Sequence, residues 1–576
     1  MQARLNLSGF GLFGPRSASL PKSRDEHLAA ALAWLLAALL ACFLAWPLGS
    51  ILVKALQDGS GAYAGWQHVG TLLSEPRLHS ALANSLWLAA ASTGLVLPLA
   101  LGFAFALTRS RLPGRPAWRL LALSPLLAPS LMPGISLVYL FGNQGLLKSW
   151  LGLLGADASI YGPIGIVMGE LFYTFPHALL ILVTSLSLAD ARLYEAAQVL
   201  GAGSWRRFLT VTLPQARYGL ISAGLVVFTL VVTDFGVPKV IGGQTQVLAL
   251  EAYKQIIGQQ NFSKGAVIGL LLLVPALLSV GVERWLSRRQ GSQLSGRATP
   301  YVPPVNRLRD VLLALLCTLV LVFLLALLGT AVAASFIKLW PYRMEFTLAH
   351  YQFEDMDGGG WDGFFNSLRL SLCTAGLGTV LVFACAYLAE KLPVPRLAAL
   401  AIRTQALLPM AVPGLVLGLG YVFCFNNPGH PLHGWYGGLA LMVAATIVHF
   451  FTTAYLTLGT ALRQIAPELE AVGRSLARPW WVQLWRVSLP ICLPSLLDVA
   501  RYLFVSSMTT VSAVIFLYGA DTPLASVSVL AMDDAGDTAA AAAMASLIVA
   551  SSLAANLLLS TLSARLQARS QAWRLR

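Results

Sequence analysis

Long apolar stretches separated by short polar segments run along the whole chain. Because a bilayer core needs about 20 apolar residues per helix, stretches of this length are typical of membrane spans. They are continuous rather than alternating, which favours helices over the strands of a membrane barrel. The pattern therefore predicts an all-α membrane protein with twelve transmembrane helices, near residues 28–53, 85–107, 119–141, 161–188, 215–234, 264–286, 310–337, 366–389, 400–425, 436–462, 491–516 and 537–563.

The distribution of basic residues predicts the orientation of these helices. With the N-terminus in the cytoplasm, the polar segments on that side carry 29 of the 39 Lys and Arg residues, and the opposite segments carry eight. Since basic residues concentrate on the cytoplasmic side of membrane proteins, both termini are predicted to be cytoplasmic. The net charge of +14 is spread between apolar segments rather than gathered on one stripe. It therefore indicates membrane topology, and no nucleic-acid partner is expected.

Two halves of the chain repeat the same order of motifs. The segment Asn84–Leu88 (Asn-Ser-Leu-Trp-Leu) returns in the second half as Asn366–Leu370 (Asn-Ser-Leu-Arg-Leu), and Pro133-Gly134 returns after almost the same interval as Pro413-Gly414. Because each half holds six predicted helices, an even number, both halves share one orientation and form a parallel repeat. The predicted divisions are a cytoplasmic tail 1–27, a first module 28–286, a cytoplasmic linker 287–309, a second module 310–563 and a cytoplasmic tail 564–576.

The most specific motif lies between the fourth and fifth predicted helices, on the predicted cytoplasmic side. It is Glu-Ala-Ala, three residues, Gly, nine residues, then Val-x-Leu-Pro, formed by Glu195, Ala196, Ala197, Gly201, Val211, Leu213 and Pro214. The sequence before Gly201 is helix-forming, a glycine is a common helix end, and Pro214 suits the first turn of the next helix. We therefore predict a short helix held between two spanning helices, where a partner can push on it.

This spacing resembles the EAA signature of binding-protein-dependent ABC importer permeases of type I. In that family the short helix docks in a cleft on the ATPase, so the resemblance implies that Glu195 and its neighbours form an ATPase-coupling loop. The second module has a degenerate version of this loop. Aligned on Leu-Pro, its Glu and Gly positions hold Ala471 and Ala477, and an acid stands one place early; the loop residues are Glu470, Ala471, Gly473, Ala477, Leu489 and Pro490.

The resemblance also implies partners. No Gly-Lys pair occurs in the chain, so it has no P-loop of the form GxxxxGK[ST]. The expected arrangement is a non-enzymatic transport subunit in the bacterial inner membrane, with two copies of a separate cytoplasmic ATPase that bind ATP and Mg and a periplasmic solute-binding protein. The chain itself is expected to hold no cofactor and no metal.

Glu170, Asp498 and Arg501 fall inside predicted spans, where a charge costs at least about 2.5 kcal/mol and suggests a function. Asp498 and Arg501 are three residues apart and can pair on one helix face. A structural ion pair is one interpretation of these two residues. The other is that Glu170 or Arg501 faces the translocation path and handles a charged substrate.

The solute is predicted only from resemblance. Fused permeases of this size resemble those of ferric-iron, thiamine and 2-aminoethylphosphonate importers, and four stretches near the predicted external face are most similar to the aminoethylphosphonate type: residues 233–243, 253–262, 508–518 and 532–537. The expected solute is therefore 2-aminoethylphosphonate, with ferric iron or thiamine as alternatives. The rival classes are an ion-driven secondary transporter, which leaves the EAA spacing unexplained, and a membrane enzyme, for which no HExxH or GxSxG motif is present.

Overall fold

The computed structural model describes residues 24–152, 155, 159–187, 190–290, 301, 303–476 and 478–570. Within these residues the protein is almost entirely helical, with one two-stranded hairpin. The first half contains α1 Arg24–Leu40, α2 Trp46–Ala55, α3 Gly65–Leu73, α4 Pro76–Arg109, α5 Arg115–Ala122, α6 Met132–Phe141, α7 Lys148–Leu151, α8 Pro163–Ser187, α9 Ala191–Val199, α10 Ser204–Arg207, α11 Leu213–Thr233, α12 Gly236–Ile241, α13 Leu248–Tyr253 and α14 Phe262–Gln290.

The second half follows the same order after its first helix. It contains α15 Arg307–Ser335, β1 Ile337–Leu339, β2 Arg343–Phe346, α16 Gly360–Lys391, α17 Arg396–Leu407, α18 Gly414–Phe425, α19 Leu439–His449, α20 Phe451–Arg463, α21 Pro467–Ser475, α22 Trp480–Gln483, α23 Leu489–Thr509, α24 Ala525–Ala535 and α25 Thr538–Ser570. The strands β1 and β2 pair antiparallel, with Ile337 opposite Phe346. The predicted tails and linker lie in part outside the described residues.

The number of long apolar helices is smaller than the twelve predicted. In the described part of the chain nine helices are long and apolar enough to cross a membrane, or eleven if two bent pairs are each taken as one span. The remaining predicted span, 119–141, is broken into the end of α5, a 3₁₀ turn at Ser124–Leu127 and α6. The prediction of a continuous helix was therefore wrong there.

The corresponding span of the second module is broken in the same place. A 3₁₀ turn at Leu408–Ala411 separates α17 from α18, and the chain bends by 116° between them. Each 3₁₀ turn has a proline in its first two positions, Pro125 or Pro409, where a missing N–H and a fixed φ are tolerated. The predicted helix 436–462 is also bent, by 57° between α19 and α20.

The repeated Asn-Ser motif ties each long helix to a distant turn of its own module. The Asn84 amide Nδ2 donates to the Gln246 carbonyl at 3.0 Å, and Asn366 Nδ2 donates to the Pro523 carbonyl at 3.2 Å. The adjacent serines bind the same turns: Ser85 Oγ accepts the N–H of Leu248, and Ser367 Oγ accepts the N–H of Ala525. Both modules therefore satisfy buried polar groups by the same hydrogen bonds.

The first helix of each module packs on the other module. Helix α2 packs against α18, and α15 packs against α4 and α6. We call this reciprocal packing the exchange of first helices. Hydrogen bonds support it, because the Tyr421 hydroxyl donates to the Phe43 carbonyl at 2.7 Å and Trp480 Nε1 donates to the Asp25 carbonyl at 3.1 Å. The two modules are thus joined by reciprocal packing as well as by the linker.

Candidate coupling loops and membrane-embedded charges

The first candidate coupling loop is built on α9, which is capped at both ends. At its start the Asp190 side chain accepts the N–H of Arg192 at 3.1 Å. At its end Gly201 has φ +72°, its N–H donates to the Gln198 carbonyl at 3.0 Å, and the N–H of Ala202 donates to the Ala197 carbonyl at 2.9 Å. These two bonds form a Schellman motif, which requires the left-handed conformation that glycine adopts most easily.

The outer face of this loop is exposed and apolar. Glu195 and Ala196 are exposed, Ala197 is half-buried, and Val199 and Leu200 are 86% and 84% exposed. Single exposed apolar side chains are ordinary, but neighbouring ones on a short projecting helix form a patch that suits a protein partner. The predicted docking residues therefore lie where a partner can reach them.

The inner face of α9 is anchored to the membrane helices. Tyr194 is buried, and its hydroxyl donates to Thr212 Oγ1 at 3.0 Å, at the start of the following span. The Arg109 guanidinium, at the end of α4, donates from Nε to the Tyr194 hydroxyl at 3.3 Å and lies 5.1 Å from its ring centre. Tyr194 thus links α9 to α4 and to the start of the following span.

The second candidate loop has the same backbone with different side chains. The N–H of Arg478 donates to the Gly473 carbonyl at 3.1 Å, and this bond is the counterpart of the bond from Ala202 to Ala197 in the first loop. Gly473 therefore occupies the place of Ala197, and Ala471 occupies that of Glu195. Ala477, which corresponds to Gly201, lies outside the described residues.

Glu470 faces inward in this loop. Its carboxylate forms an ion pair with the Lys391 ammonium at the end of α16, and 23% of its side chain is exposed. Glu470 and Lys391 therefore correspond to Tyr194 and Arg109, the inner anchor of the first loop. The outer face of loop two carries Leu469, Val472 and Leu476, which are 43%, 57% and 65% exposed.

Both loops lead into the membrane through the same distortion. A π-helical turn, Phe208–Thr212 or Leu484–Ser488, precedes the Leu-Pro pair in each module. Leu213 and Pro214 are the first residues of α11, and Leu489 and Pro490 are the first of α23. The helix is nevertheless continuous through the π-helical turn in both modules. It runs over Ser204–Thr233 in the first module and over Trp480–Thr509 in the second, so the end of each loop and the following span form one helix.

The charged residues predicted inside the membrane fall into two groups. Arg501 and Asp498 pair on α23 with a nitrogen–oxygen distance of 3.5 Å, and about a third of each side chain is exposed. Glu170 on α8 is fully buried, and its electrostatic neighbours are Asp234 and Tyr173 rather than that pair. Asp234 was absent from the sequence-based candidates, although its position at the end of an apolar helix marks it in the same way.

A contact that was not predicted from the sequence joins the two modules on the predicted external side. Lys239 Nζ of α12 lies 2.9 Å from Asp534 Oδ1 of α24 and 5.7 Å from the centre of the Tyr253 ring. Tyr253 in turn stacks on Phe516 of the second module at 6.1 Å. An ion pair and an aromatic pair therefore bridge the two halves at this point.

Two like helical modules, each with a short helix leading into a span, define a fused, multi-pass membrane protein. The family described as "Binding-protein-dependent transport system inner membrane component" matches this chain twice, at residues 97–292 and 382–569. The chain belongs to this family and carries its domain in a fused double module, as type I ABC importer permeases do. It is a multi-pass protein of the bacterial inner membrane.

Named relatives transport different solutes. The putative ferric transport system permease protein FbpB 1 of Haemophilus influenzae is 27% identical over 83% of this chain and 76% of its own length. The thiamine transport system permease protein ThiP of Salmonella typhimurium is 26% identical over 77% of this chain and 80% of its own. The molybdenum transport system permease protein ModB of Mycobacterium bovis is 30% identical over 42% of this chain and 88% of its own.

Proposed function

We propose that this chain is the translocation subunit of an ATP-driven importer that moves a small polar solute delivered by a periplasmic binding protein. Two copies of a cytoplasmic ATPase would dock on the two loops, one on each. The observation that carries the proposal is the pair of α9 and α21, which share a backbone, an outward apolar face and an inward anchor to a spanning helix. ATP and Mg would be bound and hydrolysed on the ATPase, with no cofactor on this chain.

The two ATPase contacts are proposed to be of unequal strength. Loop one presents the Glu195 carboxylate together with Val199 and Leu200, whereas loop two has Ala471 at the position equivalent to Glu195. Charge-assisted hydrogen bonds to a carboxylate are about twice as strong as neutral ones. Loop one therefore offers the ATPase a stronger and more directional contact.

Co-purification tests the proposed machinery. The tagged chain, expressed with the ATPase and binding protein encoded beside it, should retain the ATPase in mild detergent, and the binding protein should stimulate ATP hydrolysis. The Val199→Asp/Leu200→Asp variant should lose the ATPase while keeping its own membrane insertion. If this variant retained the ATPase at the wild-type level, the loop would not be the docking surface.

The solute has three candidates. Two relatives named for ferric transport align over 83% and 88% of the chain and one named for thiamine transport aligns over 77%, which favours ferric iron. The predicted 2-aminoethylphosphonate has support only from the resemblance of the external stretches. Titration of the binding protein with ferric iron, 2-aminoethylphosphonate and thiamine separates them, since only the true solute should bind tightly and stimulate ATP hydrolysis by the assembled transporter.

A further inference from the structure

Two buried carboxyl groups lie close together in the first module, and the role proposed for them rests on the proposed transport function. Glu170 has no exposed surface, and among the described residues the one hydrogen-bonding neighbour of its carboxyl group is the carboxyl group of Asp234. It is the eighth residue of α8, so it lies about 10 Å from the predicted external end of that helix. Asp234 is 8% exposed, and its Oδ2 accepts the N–H of Val237 at 2.8 Å.

The two carboxyl groups are electrostatic neighbours. Among the ion pairs of the described residues none includes Glu170 or Asp234. Two carboxylates close together in a membrane interior cannot both ionise without compensation, because each charge costs several kcal/mol and the two repel. A proton or a cationic group must therefore accompany the pair.

The surroundings place this pair beside the junction of the two modules. Tyr173, one turn along α8 from Glu170, interacts electrostatically with Glu170, with Asp234 and with Tyr502 of α23 in the second module. Tyr173 and Tyr502 are half-buried, so both phenols keep some accessible surface beside the buried acids. Carboxyl and phenol groups from both modules thus lie near one another at the junction.

The second module shows that the fold does not need these acids. Helix α8 spans Pro163–Ser187, and α19 with α20 covers a segment of the same length, from Leu439 to Arg463. The difference in residue number between these two segments is the same as that between α11 and α23, at the first residue and at the last. It places Thr446 at the position of Glu170 and Thr510 at the position of Asp234.

The Thr446 hydroxyl is hydrogen-bonded within its own helix. Thr446 is fully buried like Glu170, and its hydroxyl donates to the Met442 carbonyl at 2.7 Å within its own helix. A neutral residue therefore packs at this point of the fold with no ionisable group. The first module therefore carries two carboxyl groups that the shared fold does not require. Because an ionisable group in a membrane interior costs stability, its presence indicates a function.

We propose that Glu170 and Asp234, with the hydroxyl groups of Tyr173 and Tyr502, form a site in the translocation path that takes a positively charged group of the solute. A ferric ion, the thiazolium of thiamine and the ammonium of 2-aminoethylphosphonate share this chemistry. Hard oxygen donors suit a ferric ion, and the same carboxylates accept hydrogen bonds from an ammonium group. Anionic oxyanions such as molybdate are repelled.

The test uses the complete transporter, with its ATPases and binding protein, in proteoliposomes. The probes are labelled ferric iron, thiamine and 2-aminoethylphosphonate, with ethylphosphonate as an analogue that lacks the amine. Glu170→Gln and Asp234→Asn should each lower the amount of solute moved per ATP hydrolysed by about tenfold, because each removes a charge-assisted hydrogen bond to the solute. Glu170→Asp should recover part of the loss.

The matched variants place the threonines of the second module at the equivalent positions of the first. Glu170→Thr/Asp234→Thr copies the residues of that module, so it is expected to assemble even if the single variants do not, and Thr446→Val is the control that should leave uptake unchanged. Failure of wild-type transporter to move any probe would count against the proposed function itself. Wild-type uptake with equal uptake by the Thr/Thr variant, or transport of ethylphosphonate as efficient as that of 2-aminoethylphosphonate, would overturn the cation site.

Discussion

At the residue scale, neighbouring side chains on the short helix α9 point in opposite directions. Tyr194 points inward and joins α9 to Arg109 and Thr212, while Glu195 points outward into solvent. In the second loop Glu470 takes the inward place, paired with Lys391, and the outward place holds Ala471. The identity of the acid therefore matters less than the side of the helix on which it lies.

Loss of the outward carboxylate should weaken ATPase coupling. We expect Glu195→Ala to lower uptake by about tenfold, because a charge-assisted contact of roughly 1.5–3 kcal/mol is removed. Ala471→Ser at the equivalent position of loop two is the matched control and should change uptake by less than about twofold. Uptake and ATPase co-purification measure both variants, and an equal effect of the two would show that the loops are equivalent.

The helix end at Gly201 gives a second prediction. A β-carbon added there meets no atom within 4 Å, so Gly201→Ala should act only through the positive φ, which costs an alanine about 1 kcal/mol. Gly203→Ala is the control, because its site is equally open and its φ of −65° suits any residue. We expect lower ATPase stimulation for Gly201→Ala alone, and equal stimulation in both variants would show that the cap does not limit coupling.

Residue-level prediction from the sequence succeeded where the signal was local. The spacing around Glu195 and the helix-ending Gly201 are local patterns, and the predicted helix is present at α9. The pairing of Asp498 with Arg501 is confirmed for the same reason. The inward direction of Glu470 depends on Lys391, which is distant in sequence, and the closeness of Asp234 to Glu170 depends on tertiary packing. Neither could be derived from the residues alone.

At the scale of elements, hydropathy located the apolar segments but not their breaks. A run such as 119–141 is apolar throughout, so its average hides the 3₁₀ turn at Ser124–Leu127. Each of these turns contains a proline, yet Pro98 and Pro176 lie inside continuous helices. Whether a proline bends or breaks a span depends on the helices packed around it.

The contact between α12 and α24 gives a prediction about the predicted external side. Lys239→Gln removes the ion pair with Asp534, and we expect it to raise ATP hydrolysis without binding protein by up to about fivefold, because a partly exposed pair contributes at most about 1 kcal/mol. The charge reversal Lys239→Asp/Asp534→Lys should restore the wild-type rate. Lys338→Gln is the control, since Lys338 pairs with Glu345 within one hairpin; an equal rise in that variant would contradict the prediction.

At the scale of the whole molecule, the modules share a backbone plan but not their chemistry. One constant shift in residue number relates α8, α11 and the first coupling loop to their counterparts, while carboxylates are replaced by threonines and an outward acid by alanine. The repeat and its order of elements were predictable from the sequence. The exchange of first helices was not, because the contacts of α2 with α18 and of α15 with α6 link segments far apart in the chain.

The exchange of first helices predicts that the linker is dispensable for assembly. A chain split between Ser295 and Gly296 and expressed as two halves should co-purify and transport, because each half buries its first helix on the other. Removal of residues 24–55 from the first half should abolish this association, since α2 and the hydrogen bond between Phe43 and Tyr421 are lost. Split halves that insert in the membrane without binding each other would contradict this account of the fold.

The central claim is that motion of an ATPase, passed through the loops around Glu195 and Ala471, drives this chain. Uptake into proteoliposomes that hold the chain, its ATPase and its binding protein tests it most directly, with ATP supplied or withheld and with or without an ionophore. We predict uptake that requires ATP and is unchanged by the ionophore. Uptake that continues without ATP and is abolished by the ionophore would contradict the claim and indicate an ion-driven transporter.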